Sequence, residues 1–127
     1  MQATPYRMTP DVIRCLVEPN HPGAYILGDV IDGVFVFRYV GRSDHCLRTR
    51  LLTHPFLYEY EYFIFVYAKD AVDAFEIECK WWHDCKNEEI WLRNKIHPDS
   101  PSKQGLICPY CQFAHTIVNC LPLKKAS

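Results

Sequence analysis

No apolar run in this 127-residue chain approaches the ~20 residues that a helix needs to cross a bilayer. The first residues, Met1-Gln2-Ala3-Thr4-Pro5-Tyr6-Arg7, lack the apolar centre of a secretory signal. The expected location is therefore cytoplasmic or nucleoid-associated, not secreted. Internal repeats and low-complexity tracts are missing too, and a composition of 49% apolar and 14% aromatic residues excludes a wholly disordered chain. Charge is also scarce in sum. A net charge of −1 argues against broad coating of nucleic acid, yet leaves room for a local basic face.

What is present is cysteine, seven in all. An odd count cannot pair fully within one chain, and a chain that is not exported keeps its thiols reduced. Metal binding is the better general reading for some of them. The length suits one domain over 1–127.

Punctuation residues divide the chain into elements. Thr9 reads as an N-cap and Pro10 as the first position of a helix over Asp11–Val17, broken by Pro19, Pro22 and Gly23. Ala24–Leu27 and Val34–Val40 read as two strands of an antiparallel hairpin, with a loop from Gly28-Asp29 to Asp32-Gly33. Ser43 or Asp44 can cap a helix over Cys46–Thr53 that Pro55 ends. Tyr58–Ala68 reads as a third strand, dense in aromatic and β-branched residues, and Asp70 opens a helix to about Asp84. A second helical piece is expected over Glu88–Lys95, then a loop after His97-Pro98 and a tight turn at Cys108-Pro109-Tyr110-Cys111.

Two groupings carry chemistry. From Arg38 to His54 the chain holds Arg38, Arg42, Arg48 and Arg50 against one acid, Asp44. Arg50 and His54 are four apart, so one helix face can present both to a phosphate, with Arg42 in support. The plain alternative is a solvated basic face. Glu76 and Glu78 point to different sides of the following helix, so only one can join Arg50 and hold Mg2+.

The second grouping is rich in thiols. Cys79 and His83 stand at i, i+4, and the Cys108–Cys111 knuckle can add two sulfurs, a set suited to structural zinc. Cys85, His97 and His115 are rival ligands, and unconnected buried thiols are the alternative. Cys-Pro-Tyr-Cys also resembles the active-site tetrapeptide of glutaredoxins. That chemistry needs a βαβ framework that the sequence around Cys108 does not provide.

Taken in order, these residues resemble the GIY-YIG nuclease family over roughly Gly23 to Asn94. Gly23-Ala24-Tyr25 stands for Gly-Ile-Tyr and Tyr39-Val40-Gly41 for Tyr-Ile-Gly. Leu47-Arg48-Thr49-Arg50-Leu51 looks like the family helix, with His54 after it. Asp73-Ala74-Phe75-Glu76-Ile77-Glu78 resembles the segment that ends in the metal-binding glutamate, which selects Glu78 over Glu76. Asn94 is the candidate for the closing asparagine.

The resemblance implies an α/β (α+β) fold with a three-stranded antiparallel sheet flanked by helices. It implies a Mg2+- or Mn2+-dependent DNA endonuclease in which Tyr25 acts as, or helps activate, the general base for the attacking water and Tyr39 orients water or phosphate. Arg50 would stabilise developing charge, His54 would assist proton transfer, and Glu78 would hold the ion. Gly41, Arg42, Arg48 and Asn94 would contact the DNA. A homodimer or partner protein would supply target recognition. The alternative function is a zinc-stabilised module that binds nucleic acid or protein and has lost catalysis.

Overall fold

The computed structural model describes residues 4–101 and 106–111. In chain order it contains β1 (Tyr6–Arg7), α1 (Pro10–Leu16), β2 (Gly23–Ile31), β3 (Val34–Ser43), α2 (Leu47–Leu52), β4 (Tyr62–Tyr67) and α3 (Ala71–Asn87). The strands form one antiparallel sheet in the order β1-β4-β2-β3, an α+β arrangement. The sheet thus has four strands where three were expected. The extra one, Tyr6–Arg7, is only two residues long and pairs with Phe63 and Tyr62, a non-local contact without local patterning.

Local chemistry explains most boundaries. The Thr9 hydroxyl accepts from the Val12 amide at 3.3 Å, capping α1 with Pro10 in the first turn. Asp70 caps α3 by accepting from the Asp73 amide at 2.8 Å. The β2–β3 connection is tighter than the expected loop. Asp32 (φ 52°) and Gly33 (φ 78°) alone make the turn, the pair of left-handed residues that a two-residue hairpin requires. Gly28 and Asp29 therefore continue β2 past a register shift after Leu27.

Three other expectations are corrected. Cys46, not Ser43 or Asp44, is the N-cap residue of α2, and the Ser43 hydroxyl accepts from its amide at 3.1 Å. Residues 54–60 fold into hydrogen-bonded turns, with Leu57 bonded to His54 and both Glu59 and Tyr60 to Phe56, so β4 starts only at Tyr62. No helix forms over Glu88–Lys95. Glu89 takes φ 59°, which ends helical geometry, and Ile90 turns back to the Cys85 carbonyl.

Both faces of the sheet are covered, because β2 sits between β4 and β3 and is apolar on both sides. Tyr25, Leu27 and Phe63 pack with Ile13 of α1, with Val17 just after it, and with Leu47 and Leu51 of α2. Ile26, Val40 and Ile64 pack on the other face with Cys85 and Leu92, beside Trp81 and Trp82 of α3. No helix among the described residues is long and apolar enough to cross a membrane.

Candidate active site and a cysteine-histidine group

Alternation along β3 places Tyr39, Gly41 and Ser43 on the α2 face and Val40 and Arg42 on the α3 face. Because β3 is an edge strand, groups from both layers meet around its end. They enclose a cavity of about 380 Å³ lined by Tyr25, Tyr39, Gly41, Arg42, Arg50 and Glu78, together with Ser43, Asp44 and His45.

Tyr25 pairs across the sheet with Gly41. A Cβ at Gly41 would lie 2.5 Å from both Cζ and Oη of Tyr25, so only glycine admits the ring there. The ring is fully buried and lies nearly parallel to that of Tyr39, with centroids 6.3 Å apart. Arg50 donates from Nε to the Tyr25 hydroxyl at 3.1 Å. Burial pushes the Tyr25 phenol well above its ordinary range, and the opposing pull of Arg50 does not offset it. Tyr25 is neutral at physiological pH and accepts from Arg50, while Tyr39 is the half-buried tyrosine of the pair.

Glu78 comes from the buried side of α3. Arg42 donates from Nη1 to its carboxylate at 2.7 Å and from Nε to Asp44 at 2.7 Å, and its guanidinium lies 5.2 Å over the Phe75 ring. Burial is the main influence on the Glu78 carboxyl. It outweighs the pull of Arg42 and, helped by Asp44 and Asp99, raises the pKa to about 7.

His54, four residues after Arg50, is buried behind the tyrosines and does not line the cavity. Its Nδ1 accepts from the Phe56 amide at 3.0 Å, so the proton sits on Nε2, which has no hydrogen-bond partner among the described residues. The ring meets Tyr25 and Tyr39 edge-on at 5.4 and 5.1 Å. Burial, with Arg50 adding to it, lowers the His54 pKa to about 4.

Two residues read from the sequence as DNA contacts also lie outside the cavity lining. Arg48, two positions from Arg50, donates to the Arg14 carbonyl at 3.2 Å. Asn94 clasps the backbone of β3, donating from Nδ2 to the Val40 carbonyl at 2.6 Å and accepting from the Val40 amide at 3.2 Å. Conversely, Ser43, Asp44 and His45 line the cavity and are not among the site residues read from the sequence. The run that follows Gly41-Arg42 is the available signal, but its residues Ser43 and Asp44 also suit a helix cap.

A second group forms beyond α3. One nitrogen or sulfur from each of His83, His97, Cys108 and Cys111 lies within 4.8 Å of the others, so these four side chains could hold a metal such as zinc. His97 stands where the sequence reading has Cys79. The i, i+4 spacing of Cys79 and His83 holds, but Cys79 is fully buried in a small cluster with Phe75 and Cys108. Cys85 is buried on the sheet side of α3 among Ile26, Val40 and Ile64, and His115 lies outside the described residues. Among protein-family models, curated proteins and solved structures, none matches this chain.

Proposed function

We propose that the protein is a metal-dependent DNA endonuclease of the GIY-YIG type, with the cavity between α2 and α3 as its active site. The observation that carries this reading is the convergence of Tyr25, Tyr39, Arg42, Arg50 and Glu78 on one cavity from four different elements. A plain core would not gather two arginines, two phenols and a carboxylate around an open space.

Glu78 fits a hard divalent cation. Its carboxylate and that of Asp44 line the same cavity, and Mg2+ takes one or two carboxylates with water and phosphate oxygens. Bound there, Mg2+ or Mn2+ supplies Lewis-acid polarisation of the phosphate. The chain supplies the rest. Arg50 offers its guanidinium to the non-bridging oxygens, where negative charge develops in the pentacovalent transition state. Tyr39, the more open phenol, orients the attacking water, whose proton leaves to solvent through the open side of the cavity. Tyr25 stays protonated and sets the direction of Arg50 through its hydroxyl. His54, neutral and edge-on to both rings, positions the tyrosines and takes no proton in the reaction.

One observation favours the binding-module alternative: Arg42 already occupies the Glu78 carboxylate. Cleavage assays with Mg2+ or Mn2+ on plasmid and branched DNA separate the readings. The nuclease reading expects phosphodiester hydrolysis that falls at least ~100-fold in Glu78→Ala. Cleavage unchanged in that variant would remove Glu78 from the mechanism. Binding without cleavage of either substrate would leave the module.

A further inference from the structure

We propose that His83, His97, Cys108 and Cys111 bind one zinc ion, and that this ion fastens the segment after α3 onto the helix in place of an apolar core.

The need for a fastener follows from the segment itself. Between Glu88 and Cys111 the described residues form no strand and only a single helical turn at 109–111. The buried residues among them are Leu92, Pro101 and Cys108. So little apolar burial does not offset the ~1–2 kcal/mol of backbone entropy lost for each residue that is ordered. The near part is held by Asn94 and by the Trp82 indole, which donates to the Asn94 carbonyl at 3.1 Å. The far part converges on the four side chains.

Their chemistry selects the ion. Two sulfurs and two imidazole nitrogens form a closed tetrahedral set for zinc, while Mg2+ and Ca2+ want oxygen. Zn–S bonds of about 2.3 Å and Zn–N bonds of about 2.0–2.1 Å put ligand atoms roughly 3.3–3.8 Å apart. His83 Nε2 already lies 3.2 Å from Cys111 Sγ, and all four atoms fall within 4.8 Å. Closure on an ion needs only small side-chain adjustments.

Two hydrogen bonds prepare the ligands. His97 Nδ1 lies 2.7 Å from the Pro98 carbonyl, which can only accept, so Nδ1 carries the proton and Nε2 keeps the lone pair. That Nε2 is buried and has no hydrogen-bond partner among the described residues, an unmet acceptor that a metal would satisfy. Histidine ligands commonly donate their other nitrogen to a carbonyl in this way. The Cys111 amide donates to Cys108 Sγ at 3.4 Å, a bond that favours the thiolate needed for coordination. Cys79 packs beneath with Phe75, as a buried neighbour of the site and not a ligand.

The test uses the full chain, stripped with a chelator, reloaded with zinc and dialysed. One equivalent of zinc is expected, with an X-ray absorption shell of two sulfurs and two nitrogens. Cys79→Ala should keep that equivalent, whereas His97→Ala should bind zinc at least ~10-fold more weakly. The chelated protein should be cut by protease within residues 88–111 and the loaded protein should resist. Less than half an equivalent after loading, a three-sulfur shell, or equal protease sensitivity with and without zinc would overturn the proposal. Should either variant fail to fold, the shell and stoichiometry of the unmodified chain decide.

Discussion

Arg42 and Glu78, thirty-six residues apart in the chain, meet at 2.7 Å with side chains only 13% and 10% exposed. At that burial the carboxylate depends on its partner. Replacing Arg42 by Met should strand it and lower stability by about 3 kcal/mol at pH 8, read from urea unfolding. An unchanged midpoint would mean that the pair makes no net contribution.

The same burial sets a pH dependence. Glu78 holds its proton up to about pH 7 in the fold, above the ordinary carboxylate value of 4.5. Its contribution to stability is therefore full below pH 4.5 and is lost as pH rises through 7. Glu78→Gln, always neutral, should gain up to about 3 kcal/mol on the parent protein between pH 4.5 and 8. Mg2+ must displace that proton, so affinity should climb up to about tenfold per unit towards pH 7 and level off above it. A titration flat from pH 6 to 9 would exclude Glu78 as the ligand.

His54 works in the opposite direction. Its folded pKa of about 4 lies below the ordinary 6.5, so the fold resists its protonation. Stability tied to neutral His54 is full above pH 6.5 and falls as pH drops towards 4, by up to about 3 kcal/mol. His54→Phe removes this dependence. The stability difference between the parent and the variant should shift against the parent by that amount on acidification. A constant difference would show that His54 titrates normally.

Gly41→Ala probes the wall of the cavity. Its methyl would fall on the Tyr25 ring and hydroxyl, where the space is 2.5 Å. The ring must move, breaking the Arg50 bond, at a cost of about 1–3 kcal/mol. Tyr25→Phe in the same background should recover part of that loss, since the crowded hydroxyl is gone. Additive effects of the two changes would count against the clash.

Asn94→Ala should cost about 2–4 kcal/mol, because it leaves both the amide and the carbonyl of Val40 without their side-chain partner. DNA affinity measured on the folded fraction should stay unchanged. A specific loss of binding at full stability would return Asn94 to the substrate.

How far the site could be read from residues alone depends on the scale of each contact. Tyr25, Tyr39, Arg50 and Glu78 are spaced by elements whose period and length are encoded locally, and they line one cavity. Arg48 differs from Arg50 by two positions, about half a helical turn, and it bonds Arg14 instead. His54 shares a helical spacing with Arg50, but α2 ends at Leu52, so the pattern stops before reaching it. The choice of His97 over Cys79 is tertiary. It depends on which side of α3 meets the segment that carries Cys108, and spacing along one helix is silent about that. The two-residue β1 and the turns before Tyr62 are likewise set by distant partners.

The clasp of Asn94 on Val40 has a last consequence. The outer rim of β3 would otherwise offer bare amides and carbonyls to any passing strand. From Arg38 to Val40 that rim is taken up, by the Arg93 amide at 2.6 Å and by the Asn94 side chain. The segment after α3 thus serves as a selvedge for the sheet. Were that clasp to open, the rim it frees would become a template for pairing with copies of the same chain.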